Sequence, residues 1–367
     1  SFHDVFDYFF IGECELTLPD FFKSLEQGGH GEGIPGVMRR ENGKVVYAGD
    51  PPRIQDLSAI PWPARGLIPY KKYHIGTLKG YKNYTSLFTS RGCPFNCVFC
   101  ASALYGKQVR RRRIDDVMGE LEHIINDLGI RHIYFMDDTF TLDRSYIMAL
   151  CDDIQKRRLK FTFEASTRAN LWDDILARRL KESGLIRISF GLETVDPAIR
   201  KIIKKEIPLR SHIKANRLNN RLGIETINSV MLGLPGETRE SIGKTVNYLC
   251  KARYIQHATY GIAIPYPGTE LQRMAKRGEH GLKLTSENFS DYQRYGSAVM
   301  EVNGISPKEM LYLQKKGLIK IYSRWWRLWP ILKRHGIRAL FLPFLDAVGT
   351  AIRIMFLKIK QKFVGKP

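Results

Sequence analysis

An α/β fold is predicted for this 367-residue chain, on three observations. From residue 85, short apolar runs alternate with amphipathic helical patterns for about 190 residues. The runs end one after another in polar residues rather than in plain turn residues. A loop carrying three closely spaced cysteines follows the first run. Short strands alternating with helices form parallel strands joined by right-handed crossovers. Loops at the C-terminal ends of such strands share one face, where chemistry collects.

Residues 1–40 open with an apolar run ending in Gly12-Glu13-Cys14-Glu15, then a helical pattern over 19–25 and a glycine-rich loop. An apolar run into Gly-Glu and a helix start has the shape of a last strand and helix in an α/β unit. Asn42-Gly43 between two short apolar stretches signals a hairpin, and Ile60-Pro61-Trp62-Pro63 a stiff linker, with a domain boundary near residues 60–80. Strands are expected at 84–89, 132–136, 161–163, 186–190, 224–231 and 258–264. Helices fall between them, including 171–183 and 241–252. Ile114, Val117, Leu121, Ile124, Ile125 and Leu128 lie at helical spacing on one face.

The cysteine loop is Arg91-Gly92-Cys93-Pro94-Phe95-Asn96-Cys97-Val98-Phe99-Cys100, and the other three cysteines stand singly. Three thiolates on one short loop suit three irons of a [4Fe–4S] cube, leaving the fourth iron open to a small molecule. Structural zinc wants four ligands, and no further His or Cys lies close by. A disulfide would strand the third cysteine and suits a secreted protein. The five later strand ends are Asp137-Asp138, Glu164 with Arg168, Glu193, Gly233 to Thr238, and Tyr266 to Thr269. Asp143, Glu237 and Thr238 equally suit helix N-caps.

Cys93, Cys97 and Cys100, with the aromatic Phe99 before the last, resemble the signature of the radical S-adenosylmethionine (SAM) superfamily. The resemblance implies a partial (β/α)6 barrel, a [4Fe–4S] cluster on the three cysteines, and SAM held on the open iron. It implies reductive cleavage of SAM to a 5′-deoxyadenosyl radical. It allots the SAM amino group to Asp137 and Asp138, the carboxylate to Arg168, and the ribose to Glu193, with Glu164 nearby. Phe99 and the backbone from Met231 to Gly233 fall to the adenine, and Tyr266 to Thr269 to the substrate side. Met136-Asp137-Asp138 replaces the usual Gly-Gly-Glu, as in the cobalamin-linked branch. Gly12-Glu13-Cys14-Glu15 resembles the Gly-Glu-Gly-Glu closing that branch's cobalamin domain, with Cys14 for the second glycine. The cobalamin-ligating Asp-x-His-x-x-Gly is nowhere in the sequence, so cobalamin is expected either to need an upstream part that is missing or not to be a cofactor at all. The implied domains are 1–60, a remnant of an α/β cobalamin-type domain plus linker; 61–285, the barrel; and 286–367, a basic helical region.

Lys and Arg number 58 against 37 Asp and Glu, with excess in Arg110-Arg111-Arg112-Arg113 and after residue 315. Such a balance suits anionic partners: nucleic acid, an acidic membrane surface or phosphorylated substrates. The few cysteines suit a reducing cytosol. A helix is expected at 307–321. Beyond it, Trp325, Trp326 and Trp329 among Arg and Lys, and the stretch 337–360, suit either an interfacial membrane helix or a helical cap on the barrel. The apolar run 339–345 is too short to span a bilayer.

The function expected is radical action on an unactivated carbon, ending in cobalamin-linked C-methylation or rearrangement of a small or lipid-like substrate. The expected electron donor is of flavodoxin or ferredoxin type, and the setting cytoplasmic with peripheral contact at the inner membrane. No RNA-binding module is visible. Alternatives are a cobalamin-free enzyme acting on RNA or peptide, methylthiotransferase-like, and a non-catalytic metal-cluster scaffold.

Overall fold

The computed structural model describes residues 6–73, 83–102 and 106–329. The chain opens with β1 (Tyr8–Phe10), α1 (Cys14–Glu26), β2 (Val37–Glu41) and β3 (Lys44–Tyr47). The predicted hairpin joins β2 to β3, with Asn42 and Gly43 both at positive φ (51° and 76°), as a type I′ turn requires. β1 pairs antiparallel with β2, whereas the sequence pattern had suggested a strand of an α/β unit. A run of three residues says nothing about its partner's direction.

The barrel follows. Its elements are β4 (Tyr84–Leu87), the short β5 (Ser90–Arg91) and β6 (Arg110–Arg111), α2 (Ile114–Glu122), β7 (His132–Phe135), α3 (Arg144–Lys156), β8 (Thr162–Thr167), α4 (Asp174–Glu182), β9 (Leu185–Glu193), α5 (Pro197–Ile202), α6 (Leu209–Leu222), β10 (Glu225–Leu232), α7 (Arg239–Lys251), β11 (His257–Ile262) and α8 (Glu270–Arg277). The hairpin β12 (Leu282–Leu284) and β13 (Met300–Val302) and the helix α9 (Pro307–Tyr322) follow. Six parallel strands stand in the order β11-β10-β9-β8-β7-β4, the sheet of a partial (β/α)6 barrel. The predicted apolar face of α2 and of the π-helical turn His123–Asp127 that continues it is buried, with Val117, Leu121, Ile124 and Ile125 all in the core.

Several polar strand ends prove to be caps. Asp143 accepts the Tyr146 N–H at 3.1 Å, Thr238 forms a capping box with Ser241, and Thr269 caps α8. Each satisfies an orphan N–H of the helix it opens.

Side chains alternate along each strand. Ile133, Phe135, Phe163, Ala165, Ile188 and Phe190 point outward to the helices; their neighbours point into the lumen. The lumen floor is ionic. His132 lies 3.3 Å from Glu164, Arg187 lies 3.4 Å from Glu164 and 2.8 Å from Glu225, and His257 lies 3.0 Å from Glu225. Burial works against the Glu225 charge, but His257 and Arg187 outweigh it and bring its pKa down to about 2. Glu164, expected after its strand and near SAM, is thus inside β8 in this floor. Three apolar-alternating residues had marked too short a strand.

The four-arginine run does not await an anionic partner. Arg110 is held by Glu13, Arg111 lies 3.4 Å from Asp143, Arg112 bonds Asp116 at 2.7 Å and Glu120, and Arg113 lies 3.1 Å from Asp56. Arg110 and Arg112 are buried. Arg65, from the linker, is buried against the same Glu120 at 2.6 Å, so the linker is fastened to α2 rather than swinging free.

At the far end, Arg327 is buried and donates to the Ala252 and Ile255 carbonyls at 3.4 and 3.1 Å. This caps the end of α7 and agrees with the helical-cap reading there, although Trp325 and Trp329 remain exposed. The stretch 337–360 lies outside the described residues. No helix among the described residues is long and apolar enough to cross a membrane.

Candidate active site

The cysteine loop leaves the C-terminal end of β4 and is pinned at both ends. β5 and β6 pair antiparallel, Ser90 with Arg111 and Arg91 with Arg110, closing the loop's neck. Gly92 enters at φ 98°, and a Cβ there would run into the Gln108 carbonyl, so only glycine fits this turn. Mid-loop, Val98 is buried; its N–H donates to Ile203 O at 3.2 Å and its carbonyl accepts Leu271 N–H at 2.8 Å. The backbone between the second and third cysteines is therefore held by α5 and α8, while all three thiols stay partly exposed.

Cations face the middle sulfur. Arg168 places Nη1 3.9 Å from Cys97 Sγ and lies flat over Phe95, 3.6 Å from the ring centre. Lys205 lies 2.6 Å from Glu193 and 5.8 Å over the Phe99 ring. Burial pushes the Cys97 thiol up, and Lys205 and Arg168 oppose it by favouring thiolate. Cys93 Sγ sits 3.7 Å from Thr139 Oγ1. Among the described residues, no three His, Cys, Asp or Glu converge to hold a single metal ion. A loop of three soft, partly exposed thiols beside two cations fits the donor set of an anionic iron–sulfur cluster. Cys93, Cys97 and Cys100 are the residues that would hold it.

Other predicted residues divide. Asp138 is exposed and accepts from Ser102 at 2.6 Å. Asp137 turns the other way: buried, it accepts from the Thr89 N–H at 3.1 Å, the Thr89 hydroxyl at 2.7 Å and the Ser90 hydroxyl at 2.6 Å. In the loop after β7 the two side chains are thus held differently, Asp138 open to solvent and Asp137 buried, where it braces the cysteine loop's approach. Glu193 stands at φ 57°, a position uncommon for a residue with a side chain, and is buried in the Lys205 pair with Oε2 unpartnered. Met231 is half-buried on the same wall. Gly233, at φ 77°, spends its N–H on Glu237 at 2.8 Å, and Leu232 O accepts from Ala263. Those backbone groups are not open to an adenine.

Lys205 was not predicted. It sits in Lys204-Lys205-Glu206, which reads as a solvated charge run, and only Gly191 makes room for it, since a Cβ there would collide with its ammonium. A glycine mid-strand was the available signal.

Glu237 is fully buried, and burial lifts its carboxyl to about 8 while the Gly233 and Leu234 N–H groups partly oppose this. An acid whose folded pKa exceeds its unfolded value gives stability that is whole below the unfolded value of 4.5 and declines as pH rises toward about 8. Glu237→Gln keeps an acceptor for both N–H groups. It should remove a slope of about 1.4 kcal/mol per pH unit between those values, read by urea unfolding across pH. Equal pH dependence in both proteins would contradict the assignment.

At the entry to the loop lies a cavity of about 560 Å³. One wall is Gly12, Cys14 and Glu15; the other includes Arg91, Met136 and Asp138. Glu13 fixes the first wall: it accepts from Arg110 at 2.7 Å and from the Ile54 N–H at 3.2 Å. Its bond with Arg110 holds the carboxyl below its ordinary range. Glu15 is paired with Arg91, the second residue before Cys93.

A six-stranded parallel barrel with an open, cation-flanked trio of thiols at its mouth defines the class of cluster-bearing barrel enzymes. Residues 87–249 match the family model described as the radical SAM superfamily, and the chain belongs to that superfamily. It is 35% identical over 314 residues to an uncharacterized methyltransferase of Pyrococcus horikoshii, covering 85% of this chain and 66% of that protein. It is 25% identical over 357 residues to the cytidylyl-2-hydroxyethylphosphonate methyltransferase of Streptomyces wedmorensis, covering 87% of this chain and 62% of that one. The chain thus spans under two thirds of the second relative's length and about that share of the first. Among solved structures, the radical SAM methyltransferase TsrM of Kitasatospora setae, with cobalamin and a [4Fe–4S] cluster bound, superposes with TM-score 0.64 at 17% identity, covering 86% of this chain and 68% of that one. The fold is shared. Superfamily membership implies a [4Fe–4S] cluster and SAM as cofactors and identifies the chain as a radical SAM enzyme with methyltransferase-named relatives.

Proposed function

We propose that this chain is the radical-generating core of a cobalamin-linked C-methyltransferase acting on a small or amphipathic substrate. The observation that carries this reading is the cavity between Gly12-Glu13-Cys14-Glu15 and the cysteine loop. It is bounded on one side by the segment that resembles the end of a cobalamin domain and on the other by Ser90, Arg91 and Gly92, which lead into the cysteine loop. When bound, the cluster and SAM supply the one-electron chemistry and the carbon radical.

The chain's own residues bind and orient. Cys93, Cys97 and Cys100 ligate three irons. Asp138 receives the SAM ammonium, Arg168 its carboxylate, and the Lys205–Glu193 pair the ribose, with Phe99 against the adenine. Asp137 and Glu237 hold the loops that carry these groups. The polar lumen below, where Tyr134 bonds Ser166 at 3.1 Å, is the substrate chamber. No residue is assigned an acid–base role. The domain plan of 1–60, 61–285 and 286–367 accompanies this proposal, as do a flavodoxin- or ferredoxin-type donor and a cytoplasmic setting.

The test is anaerobic reconstitution of the full-length protein with iron, sulfide, SAM, reductant and methylcobalamin. Formation of 5′-deoxyadenosine and uptake of corrinoid are expected. A reduced, cluster-loaded protein that leaves SAM intact would end the radical reading; SAM cleavage with no corrinoid bound would end only the cobalamin link.

A further inference from the structure

The β11 side of the lumen holds two buried donors without a hydrogen-bond partner among the described residues. Along β11, Ala258, Tyr260 and Ile262 belong to the outer core, and Tyr260 packs against Gly317 of α9. Alternation therefore turns Thr259 and Gly261 inward. The Thr259 hydroxyl is buried without a hydrogen-bond partner. Beside it, the missing side chain of Gly261 is replaced by that of Arg294: a Cβ on Gly261 would stand 2.6 Å from Arg294 Nε and 2.9 Å from its Cγ. The Arg294 carbonyl accepts the Ile262 N–H at 3.1 Å, so residue 294 is tied to the sheet's open edge.

Arg294 Nε is also buried without a partner. Its guanidinium carbon stands 5.7 Å from the Tyr295 ring centre, and among the described residues no carboxylate forms an ion pair with it. Other arginines of this barrel are treated differently. Arg187 has Glu164 and Glu225, and Arg200 donates to the carbonyls of Thr194, Val195 and Ile207. A buried donor left unpaired is costly; Arg294 Nε is one, on an otherwise half-buried side chain, and the Thr259 hydroxyl, two residues before Gly261 on the same face of the strand, is another. Both groups donate, so their complement is an acceptor-rich, negatively charged group.

We infer that the substrate carries an oxyanion, phosphoryl or carboxylate, which Arg294 and Thr259 receive on the β11 wall. This rests on the reading of the lumen as the substrate chamber. The anion would anchor the substrate across the lumen from Arg168 and the cysteine loop, so that the neutral carbon skeleton lies between.

The test uses the full chain, reconstituted with cluster and SAM, titrated calorimetrically with inorganic phosphate and separately with acetate. Wild type is expected to bind one or both saturably, and which one it prefers tells phosphoryl from carboxylate. Arg294→Gln should weaken binding at least roughly tenfold, and Thr259→Val by a smaller factor. Arg294→Lys should recover part of the loss, and Lys308→Gln, on the exposed start of α9, should match wild type. Should Arg294→Gln fail to fold, the valine and lysine variants decide. Absence of saturable binding in wild type, or equal binding in the Arg294 and Thr259 variants, overturns the inference. Formation of 5′-deoxyadenosine by the wild-type protein is scored separately, so failure of the radical reading is told apart from failure of the anion site.

Discussion

Cys97→Ala is expected to abolish both the brown absorbance of the reconstituted cluster and the formation of 5′-deoxyadenosine, while costing the apoprotein only about 1 kcal/mol of stability. The division follows from the loop. Its shape is set by the Gly92 turn, the β5–β6 neck and the two backbone bonds of Val98, none of which uses a thiol. Alanine removes one small, partly exposed group and leaves those constraints in place. A cluster, by contrast, cannot trade a thiolate for a methyl. Anaerobic absorbance, iron content and chromatographic assay of 5′-deoxyadenosine check this against wild type. Undiminished SAM cleavage by the variant would refute the ligand assignment.

Lys205→Met should be the most destabilising single change at the mouth, by about 3–5 kcal/mol. Lys205 and Glu193 have 12% and 4% exposed side chains and meet at 2.6 Å, and Glu193 Oε2 already lacks a partner. Removing the ammonium strands a buried carboxylate whose backbone, at φ 57°, is already in an uncommon conformation. The double variant Lys205→Met with Glu193→Gln removes both charges and should recover most of the loss. Denaturant unfolding of the single and double variants gives the coupling energy directly. A single variant within about 0.5 kcal/mol of wild type would show that the pair is solvated and unimportant. SAM affinity should fall in the single variant, because Lys205 also covers Phe99 beside Cys97.

Patterns that act over neighbouring residues were legible in the chain. The alternation of apolar runs with helical faces led to an α/β fold with parallel strands, the family resemblance to the partial barrel, and Asn42-Gly43 to its hairpin. Cys93, Cys97 and Cys100 led to the superfamily, because ligand spacing on one loop is a local property. The partnership of distant charges was not legible. Arg110 to Arg113 read as an anion-attracting run, yet each is paired with a carboxylate 4 to 97 residues away in sequence. Asp137 and Asp138 read as one acidic pair, yet the loop after β7 buries the first and leaves the second exposed. Glu164 read as a strand end, yet β8 runs through it to Thr167.

The sequence by itself determined the fold class, the cluster loop and the kind of chemistry, since these rest on periodicity and on the softness of sulfur, both written in short stretches. Only the tertiary structure decided which charged groups are free to meet a ligand. Whether Lys205, Arg168 or Arg294 is solvated, paired or poised depends on what the fold brings within a few ångström, and the strength of a charge interaction depends on burial as much as on identity.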